Sequence, residues 1–183
     1  PNPRTPRVPP PRRSCDSQFH VLGPEDRYPP RPGAAYVMPT ATWEAARRMH
    51  HALGIERGIV VQPTTYGADH TALLDALEAL GPGYKGCANA VVLNERDDAC
   101  IARLHQMGVR GARFTRQGLG LAFSPREFAR AVNRVNELGW YVKIQPEPEA
   151  GAPWPIPVMD LQIVEPGEAL PPEARAEQLI QAE

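Results

Sequence analysis

Short apolar runs alternate regularly with amphipathic segments through the middle of the chain, and this alternation restricts the possible folds more than any other feature. The candidate strands lie at residues 18–22, 58–62, 85–92, 111–114 and 140–145, and the candidate helices at 43–53, 69–80, 96–107 and 124–138. Parallel strands need long crossover connections, and right-handed crossover helices cover the faces of the sheet. The alternation therefore predicts an α/β fold with a parallel sheet.

Capping signals support three of the helix boundaries. Ser124 is a candidate N-cap because Pro125 follows at the first helical position and Glu127 can close a capping box. Gly139 marks the end of the same helix. Asp69 precedes the second helix, and its propensity favours a role as N-cap over a role in chemistry.

The segment after the first strand argues against a dinucleotide-binding sheet. That segment reads GPEDRYPPRPG and contains no glycine-rich turn that opens a helix. A Rossmann sheet needs such a turn so that the backbone can approach a pyrophosphate. The architectures left open are a barrel and an open sheet of another kind.

Both ends of the chain depart from the alternation. Residues 1–14 contain six prolines and four arginines, which leaves too little apolar surface to offset the entropy of ordering. They predict a disordered arm rich in Pro and Arg. The α/β pattern occupies residues 15–147. Residues 148–183 predict an irregular, proline-rich tail with a short terminal helix at 171–182.

The charge balance excludes large classes of partner. The chain has 20 basic and 21 acidic side chains and a net charge of -1, so no global field attracts nucleic acid or a membrane surface. No apolar run reaches the roughly 20 residues that span a bilayer. We expect a small molecule, and no nucleic acid or membrane, as the partner.

The cysteines indicate the compartment. Cys15, Cys87 and Cys100 are odd in number, are widely spaced and form no CxxC pair. This pattern argues against a disulfide framework and against a cysteine zinc site. A reducing, cytoplasmic setting is the expectation.

Polar side chains follow the candidate strands, at the ends where parallel α/β folds place their sites. Among these side chains, cationic and hydroxyl groups outnumber paired carboxylates, which suits an anionic substrate. Arg113 is the most informative, because a charge inside a short strand must either reach solvent or meet an anion. For Arg116, exposure in a loop is the plainer alternative. The candidates for substrate binding are Thr64, Thr65, Arg113, Arg116 and Gln145.

Gln18 and His20 share one face of the first strand because side chains alternate along a strand. A His-x-His pair at these positions would indicate zinc. Gln is a weak neutral donor, and the sequence shows no HExxH motif that would supply further ligands. His20 could bind a metal, act in a metal-free polar site, or be an interior histidine whose hydrogen bonds are satisfied.

Several phrases, taken together and in order, resemble a known family. They are CDSQFHVLGP, RYPPRPGAAY, GIERGIVVQPTTYGADHTALLDAL, LHQMGVRGARF and ELGWYVKIQ. They are similar to the amidohydrolase-related TIM-barrel hydrolases, in particular the branch that contains 2-pyrone-4,6-dicarboxylate lactonase. The resemblance implies a (β/α)₈ barrel that hydrolyses a carboxylated lactone, or a similar cyclic ester, by attack of water.

The resemblance also implies roles for particular residues. In this branch the first strand carries Asp-x-His-x-His, so Gln18 takes the first His position and His20 the second, where they polarise the scissile carbonyl without a metal. Tyr36, Thr64 and Arg113 fall where the family binds carboxylates or ring oxygens. Gln145 falls where the lactonase has Tyr. The Asp of the last strand, the general base in the family, lies beyond the resemblance.

A complete barrel of this kind needs about 250 residues, and this chain offers five β/α units. Such an arc exposes sheet edges that a stable protein must cover. The alternatives are a tail that folds back, a second copy in a homo-oligomer, or a truncated product, which the proline-rich tail favours. Two other functions stay open, namely a non-catalytic half-barrel that binds an acid and a zinc-dependent decarboxylase of the same superfamily.

Overall fold

A computed structural model describes residues 4–34, 39–115 and 123–145. The strands are β1 (Cys15–Phe19), β2 (Arg57–Val61), β3 (Tyr84–Asn89), β4 (Val109–Thr115) and β5 (Tyr141–Gln145). The helices are α1 (Trp43–Leu53), α2 (Thr71–Leu80), α3 (Val92–Glu95), α4 (Asp98–Gln106) and α5 (Pro125–Glu137), and a 3₁₀ turn covers Thr64–Tyr66. Within these ranges no helix is both long and apolar enough to cross a bilayer.

The five strands form one parallel sheet in the order β1-β2-β3-β4-β5. Five neighbouring strands laid flat would place the outer two about 19 Å apart, since each step is about 4.8 Å. The Lys143 ammonium on β5 nevertheless donates a hydrogen bond to the Gln18 side-chain oxygen on β1. The sheet is therefore strongly curved, and its concave face carries both side chains. This half-barrel of the TIM-barrel type confirms the predicted fold.

The hydrophobic core lies between the convex face of the sheet and the helices. Side chains that alternate with the concave ones point outward and meet the apolar stripes of α2, α4 and α5. Buried members of this single cluster include Val60, Ala88 and Ala112 from the strands and Leu77, Leu104 and Val135 from the helices.

The bounds of β1 and β3 differ most from those that the sequence predicts. β1 begins at Cys15 and ends at Phe19, three residues earlier than the predicted range 18–22. Leu22 is buried outside the ladder, where it makes an antiparallel bridge to Ala41 and packs near Tyr66. Leu22 is therefore buried by the packing of the loop and does not belong to the strand.

β3 was also predicted too long, because the sequence range 85–92 included residues that leave the sheet. The strand ends at Asn89, and the chain turns into the short helix α3. Val92 and Leu93 are buried in the core from that helix. A continuous apolar run cannot distinguish a buried strand from a strand followed by a buried turn.

The helix caps largely follow the sequence signals. Ser124 and Glu127 form the predicted capping box at the start of α5. α2 begins two residues later than predicted, with His70 at the N-cap position. The Asp69 carboxylate still supports this end, since it accepts hydrogen bonds from the Thr71 amide at 2.9 Å and hydroxyl at 2.6 Å.

The predicted arm and tail both stay predictions. Residues 4–14 form neither helix nor strand, and the Arg57 guanidinium donates to the Arg13 carbonyl. The disorder predicted for 1–14 stays a prediction. The tail at 148–183, with its terminal helix, lies outside the described residues.

The capping box gives a direct test of the helix boundary. We expect Ser124→Ala to lower the free energy of unfolding by about 1 kcal/mol, because the Glu127 amide loses its acceptor. Urea titration followed by circular dichroism measures this change. Ser17→Ala, in the exposed part of β1, is the matched control and should change stability by less than about 0.5 kcal/mol. Equal effects of the two substitutions would contradict the assigned cap.

Candidate functional site

Polar side chains from several strands meet on the concave face near the carboxyl ends. Asn89 on β3 pairs in register with Arg113 on β4, and Arg113 pairs with Lys143 on β5. Residues that pair across parallel strands project from the same face of the sheet. His20 directly follows β1. We call Gln18, His20, Arg113 and Lys143 the concave cluster.

Arg113 is 5% exposed although it carries a full charge. One terminal nitrogen of its guanidinium donates to the Gln62 carbonyl at 2.9 Å and to the Asn89 side-chain oxygen at 3.3 Å. Burying a charge is costly unless hydrogen bonds compensate it. Both of these acceptors are uncharged oxygens that hold the guanidinium in place.

Asn89 is completely buried and connects Arg113 to the loop after β2. Its side-chain nitrogen donates to the carbonyls of Pro63 and Gly67, each at 3.2 Å. Its backbone amide donates to His70 Nε2 at 3.2 Å. This one side chain therefore fixes the loop that contains the candidates Thr64 and Thr65, which are both buried.

His70 completes this network as a neutral ring. Its Nδ1 lies 3.0 Å from the Ala68 carbonyl, which can only accept, and its Nε2 accepts from Asn89. The proton is therefore on Nδ1. Burial lowers the pKa of His70 to about 4, so the ring stays uncharged at neutral pH.

The Nδ1 atom of His20 lies 2.7 Å from the carbonyl oxygen of Val61 on β2. Burial lowers the pKa of His20, and the charges of Arg113 and Lys143 act in the same direction, against the hydrogen bond to Val61. The two cations therefore lie close enough to His20 to disfavour its protonation. The neutral imidazole is the dominant form at pH 7.

Lys143 is a site residue that the sequence analysis did not assign. It is partly buried on β5, and its ammonium donates to the Gln18 oxygen. Strand alternation could have identified it, because Tyr141, Lys143 and Gln145 share one face of β5. Its contact with Gln18, 125 residues earlier in the chain, is invisible in the sequence.

The floor of the concave face is aromatic. The Tyr141 ring covers Gly111, where a Cβ atom would come within 2.3 Å of the ring. Burial raises the pKa of Tyr141, and interaction with the Cys87 thiol adds to the rise. Gly111 is therefore required so that Tyr141 can lie flat beneath the cluster.

The remaining predicted site residues have few described contacts or lie outside the described residues. Gln145 lies at the exposed end of β5, in register with Thr115. Gln18 is exposed apart from its contact with Lys143. Tyr36 and Arg116 lie outside the described residues, so their predicted roles stay predictions.

Among the described residues, the carboxylates of Asp16 and Asp69 have their partners away from the cluster. On the convex side, the Asp16 carboxylate accepts a hydrogen bond from His50 Nε2 at 3.0 Å. The other ring nitrogen of His50, Nδ1, lies 3.0 Å from the Tyr84 hydroxyl. Asp69 supports α2 through Thr71. Each acid therefore has a structural partner, and neither one lies beside His20.

Two cavities are lined in part by residues of the loop after β2. One of about 380 Å³ is lined by Arg31, Tyr66 and Arg96 among others, and one of about 560 Å³ by Asp69, Arg96 and Arg103 among others. No member of the concave cluster lines either cavity. They are separate from the site described above.

A family model described as Amidohydrolase matches residues 15–175. This range contains all five strands and every member of the concave cluster. The chain therefore belongs to the amidohydrolase family, and the resemblance noted in the sequence is confirmed.

The curated relatives that the chain resembles include two hydrolases. The chain is 34% identical over 144 residues to a 2-pyrone-4,6-dicarboxylate hydrolase of Comamonas testosteroni. This alignment covers 78% of this chain and 47% of the relative. It is 31% identical over 143 residues to a 4-sulfomuconolactone hydrolase of Hydrogenophaga intermedia, with 73% and 44% covered. The chain spans about half the length of the curated relatives it matches.

Solved structures show the same fold. An apo crystal structure from Agrobacterium tumefaciens superposes with a TM-score of 0.62 at 26% identity, covering 79% of this chain and 50% of that one. A probable 2-pyrone-4,6-dicarboxylic acid hydrolase from Acinetobacter baumannii, crystallised with citric acid, gives 0.63 at 23%, covering 72% and 49%. The half-barrel therefore corresponds to half of each of these chains.

The buried His70 predicts a specific loss of stability in acid. The unfolded chain protonates this ring near pH 6.5 and the folded chain only near 4. Stability is therefore complete above 6.5, falls as the pH drops toward 4, and changes no further below that value. Between pH 7 and 5 this site should cost about 2 kcal/mol of unfolding free energy.

His70→Gln should remove this part of the pH dependence, measured by urea titrations at pH 7 and 5. His20 contributes in the same direction in both proteins, so the difference between them reports His70 alone. His51→Gln, at an exposed position on α1, serves as the control and should keep the full dependence. The same pH dependence in the His70 variant would contradict the assignment.

Proposed function

We propose that this chain carries part of the active site of an amidohydrolase-type hydrolase that opens a carboxylated lactone or similar cyclic ester. The observation that carries the proposal is the meeting of Arg113, Lys143 and His20 at the carboxyl edge of the sheet. A pair of neighbouring cations in a partly buried site favours an anionic ligand. The names of the relatives, a pyrone dicarboxylate hydrolase and a sulfomuconolactone hydrolase, support this substrate class.

The proposed reaction adds water to the lactone carbonyl. The oxygen of water bonds to the carbonyl carbon, the acyl C–O bond of the ring breaks, and the ring oxygen leaves with a proton. Gln18 can aid this step, because its oxygen is engaged by Lys143 and its amide N–H groups remain as donors for the carbonyl oxygen. Arg113 holds a carboxylate of the substrate, and Thr64, Thr65, Tyr36, Arg116 and Gln145 stay proposed contacts.

We propose that the site works without a metal or other cofactor. Zinc prefers three protein ligands drawn from His, Cys and carboxylates. The concave cluster offers one imidazole and one amide, and the cations of Arg113 and Lys143 act on that imidazole. Such a set repels a divalent cation, so the zinc-dependent alternative has less support. Among the described residues, no group of three His, Cys, Asp or Glu side chains could hold a metal ion.

A binding function without catalysis is the second candidate. It is favoured by the coverage of the relatives, because the chain aligns with only 47% and 44% of their lengths. In this alternative the concave cluster binds a carboxylated acid and no bond is cleaved. The same cations would serve both functions, so only turnover separates them.

The remaining proposals concern the surroundings of the protein. The thiols of Cys15, Cys87 and Cys100 are free, which supports a reducing compartment such as the cytoplasm. Ile144 on β5, an outer strand of the described sheet, is 39% exposed. A second copy of the chain that covers this edge would form the homo-oligomer we propose. We propose no nucleic acid and no membrane as partners.

Substitution of the cations tests the carboxylate site. We expect Arg113→Met to weaken binding of benzene-1,3-dicarboxylate, a ring with two carboxylates that cannot be hydrolysed, by about 2–5 kcal/mol. Lys143→Met should weaken it by a smaller amount, because this residue is less buried. Isothermal titration calorimetry measures both affinities.

Arg110→Met is the matched control, because Arg110 lies on the same strand but donates to the carbonyls of His105 and Val109 away from the cluster. Its affinity should equal that of the unsubstituted chain. Unchanged binding in the Arg113 variant would remove that residue from the site. Binding without hydrolysis of 2-pyrone-4,6-dicarboxylate would favour the second candidate, and hydrolysis that depends on Arg113 would establish the first.

A further inference from the structure

Asn89 is an uncommon residue for its place in the sheet. It is the last residue of β3 and is completely buried, although Asn is depleted in strands. Its amide has N–H donors and an acceptor oxygen, and a buried amide without partners costs free energy. The partners of Asn89 therefore show what this side chain does in the interior.

The two ends of the Asn89 amide bind different parts of the site. Its oxygen accepts a hydrogen bond from Arg113 Nη2 at 3.3 Å. Its nitrogen donates to the carbonyls of Pro63 and Gly67, each at 3.2 Å. A flipped amide would set its N–H groups against the guanidinium and its oxygen against two carbonyls. The contacts therefore fix the orientation of the amide.

The loop that Asn89 holds is also joined to Arg113 at its first residue. We call residues 62–69 the β2 loop. The Gln62 carbonyl accepts from Arg113 at 2.9 Å, and the Gln62 side-chain nitrogen donates to the Asp69 carbonyl at 2.5 Å. Gln62 thus closes the two ends of the β2 loop, and Asn89 holds the part between them.

We propose that Asn89 is a positioning residue that joins Arg113 and the β2 loop into one carboxylate-binding unit. The inference rests on the proposed function, in which Arg113 holds a carboxylate and Thr64 and Thr65 contact the same substrate. Asn89 acts through these neighbours. Because one planar amide spans the gap between them, the guanidinium and the loop cannot move independently.

A separate set of contacts attaches the same loop to the segment after β1. The Arg31 amide donates to the Thr65 carbonyl at 2.8 Å, and Arg31 Nε donates to the Thr64 carbonyl at 3.3 Å. These contacts do not involve Asn89. Loss of the Asn89 amide should therefore leave the β2 loop attached to the protein but free to shift relative to Arg113.

Binding of benzene-1,3-dicarboxylate tests this role. Asn89→Leu keeps the approximate shape of the side chain and removes its donors and its acceptor, so we expect affinity to fall about tenfold or more. Asn89→Asp should also weaken binding, because its carboxylate competes with the ligand for Arg113 and cannot donate to Pro63 and Gly67. Isothermal titration calorimetry measures the affinities, and circular dichroism verifies that each variant is folded.

Asn94 supplies a matched control, because it makes the same kind of bridge elsewhere in the fold. Its oxygen accepts from Arg130 Nε at 2.7 Å, and its nitrogen donates to the Glu127 carbonyl at 3.1 Å. Asn94→Leu should bind the dicarboxylate within about threefold of the unsubstituted chain. Equal losses of affinity in the Asn89 and Asn94 variants would overturn the inference.

A double-mutant cycle separates positioning from a general loss of structure. If Asn89 acts through Arg113, adding Asn89→Leu to Arg113→Met should weaken binding much less than Asn89→Leu does alone. A purely structural role would cost the same affinity in both backgrounds. Additive losses would therefore refute the positioning role.

Hydrogen exchange tests the geometry without a ligand. The amides of Gly67 and Asp69 donate to the carbonyls of Thr64 and Tyr66 within the β2 loop. Asn89→Leu should speed their exchange about tenfold or more, whereas the Ile101 amide in α4 should keep its rate.

Unchanged exchange at Gly67 and Asp69 would overturn the claim that Asn89 holds the β2 loop. If the unsubstituted chain binds no dicarboxylate, the proposed function fails. The exchange rates then still decide whether Asn89 fixes the loop, so the two failures are distinguishable.

Discussion

The buried guanidinium of Arg113 is the constraint on which the rest of the site depends. A charge that is only 5% exposed to water needs hydrogen bonds that hold in every conformation. Gln62 and Asn89 provide them with neutral oxygens. Because Asn89 must also satisfy the carbonyls of Pro63 and Gly67, the path of the loop after β2 follows from the position of this one charge.

The same charge connects the fold to the chemistry. Arg113 and Lys143 are neighbours in the sheet, and curvature brings Lys143 to Gln18 on the opposite edge. The cations favour an anionic ligand, and together with burial they disfavour protonation of His20. These features occur within a chain that aligns with less than half the length of its curated relatives, so a half-barrel already brings these groups together.

The sequence predicted those parts of the structure that depend on local physics. The alternation identified five parallel strands, and the signals at Ser124 identified a helix start, because periodicity and capping depend on near neighbours in the chain. It missed the ends of β1 and β3, because the apolar residues Leu22 and Val92 are buried outside the sheet. The contact of Lys143 with Gln18 depends on curvature, which no short pattern encodes, and the hydrogen bond of His20 joins it to a carbonyl 41 residues away.

A crystal structure of the chain soaked with benzene-1,3-dicarboxylate would test the central claim most directly. We predict one carboxylate within hydrogen-bond distance of Arg113 and Lys143, with the ring above Tyr141 and His20 Nε2 facing the ligand. A ligand bound instead in the cavity lined by Arg31 and Arg96, with the concave cluster unoccupied, would contradict the account.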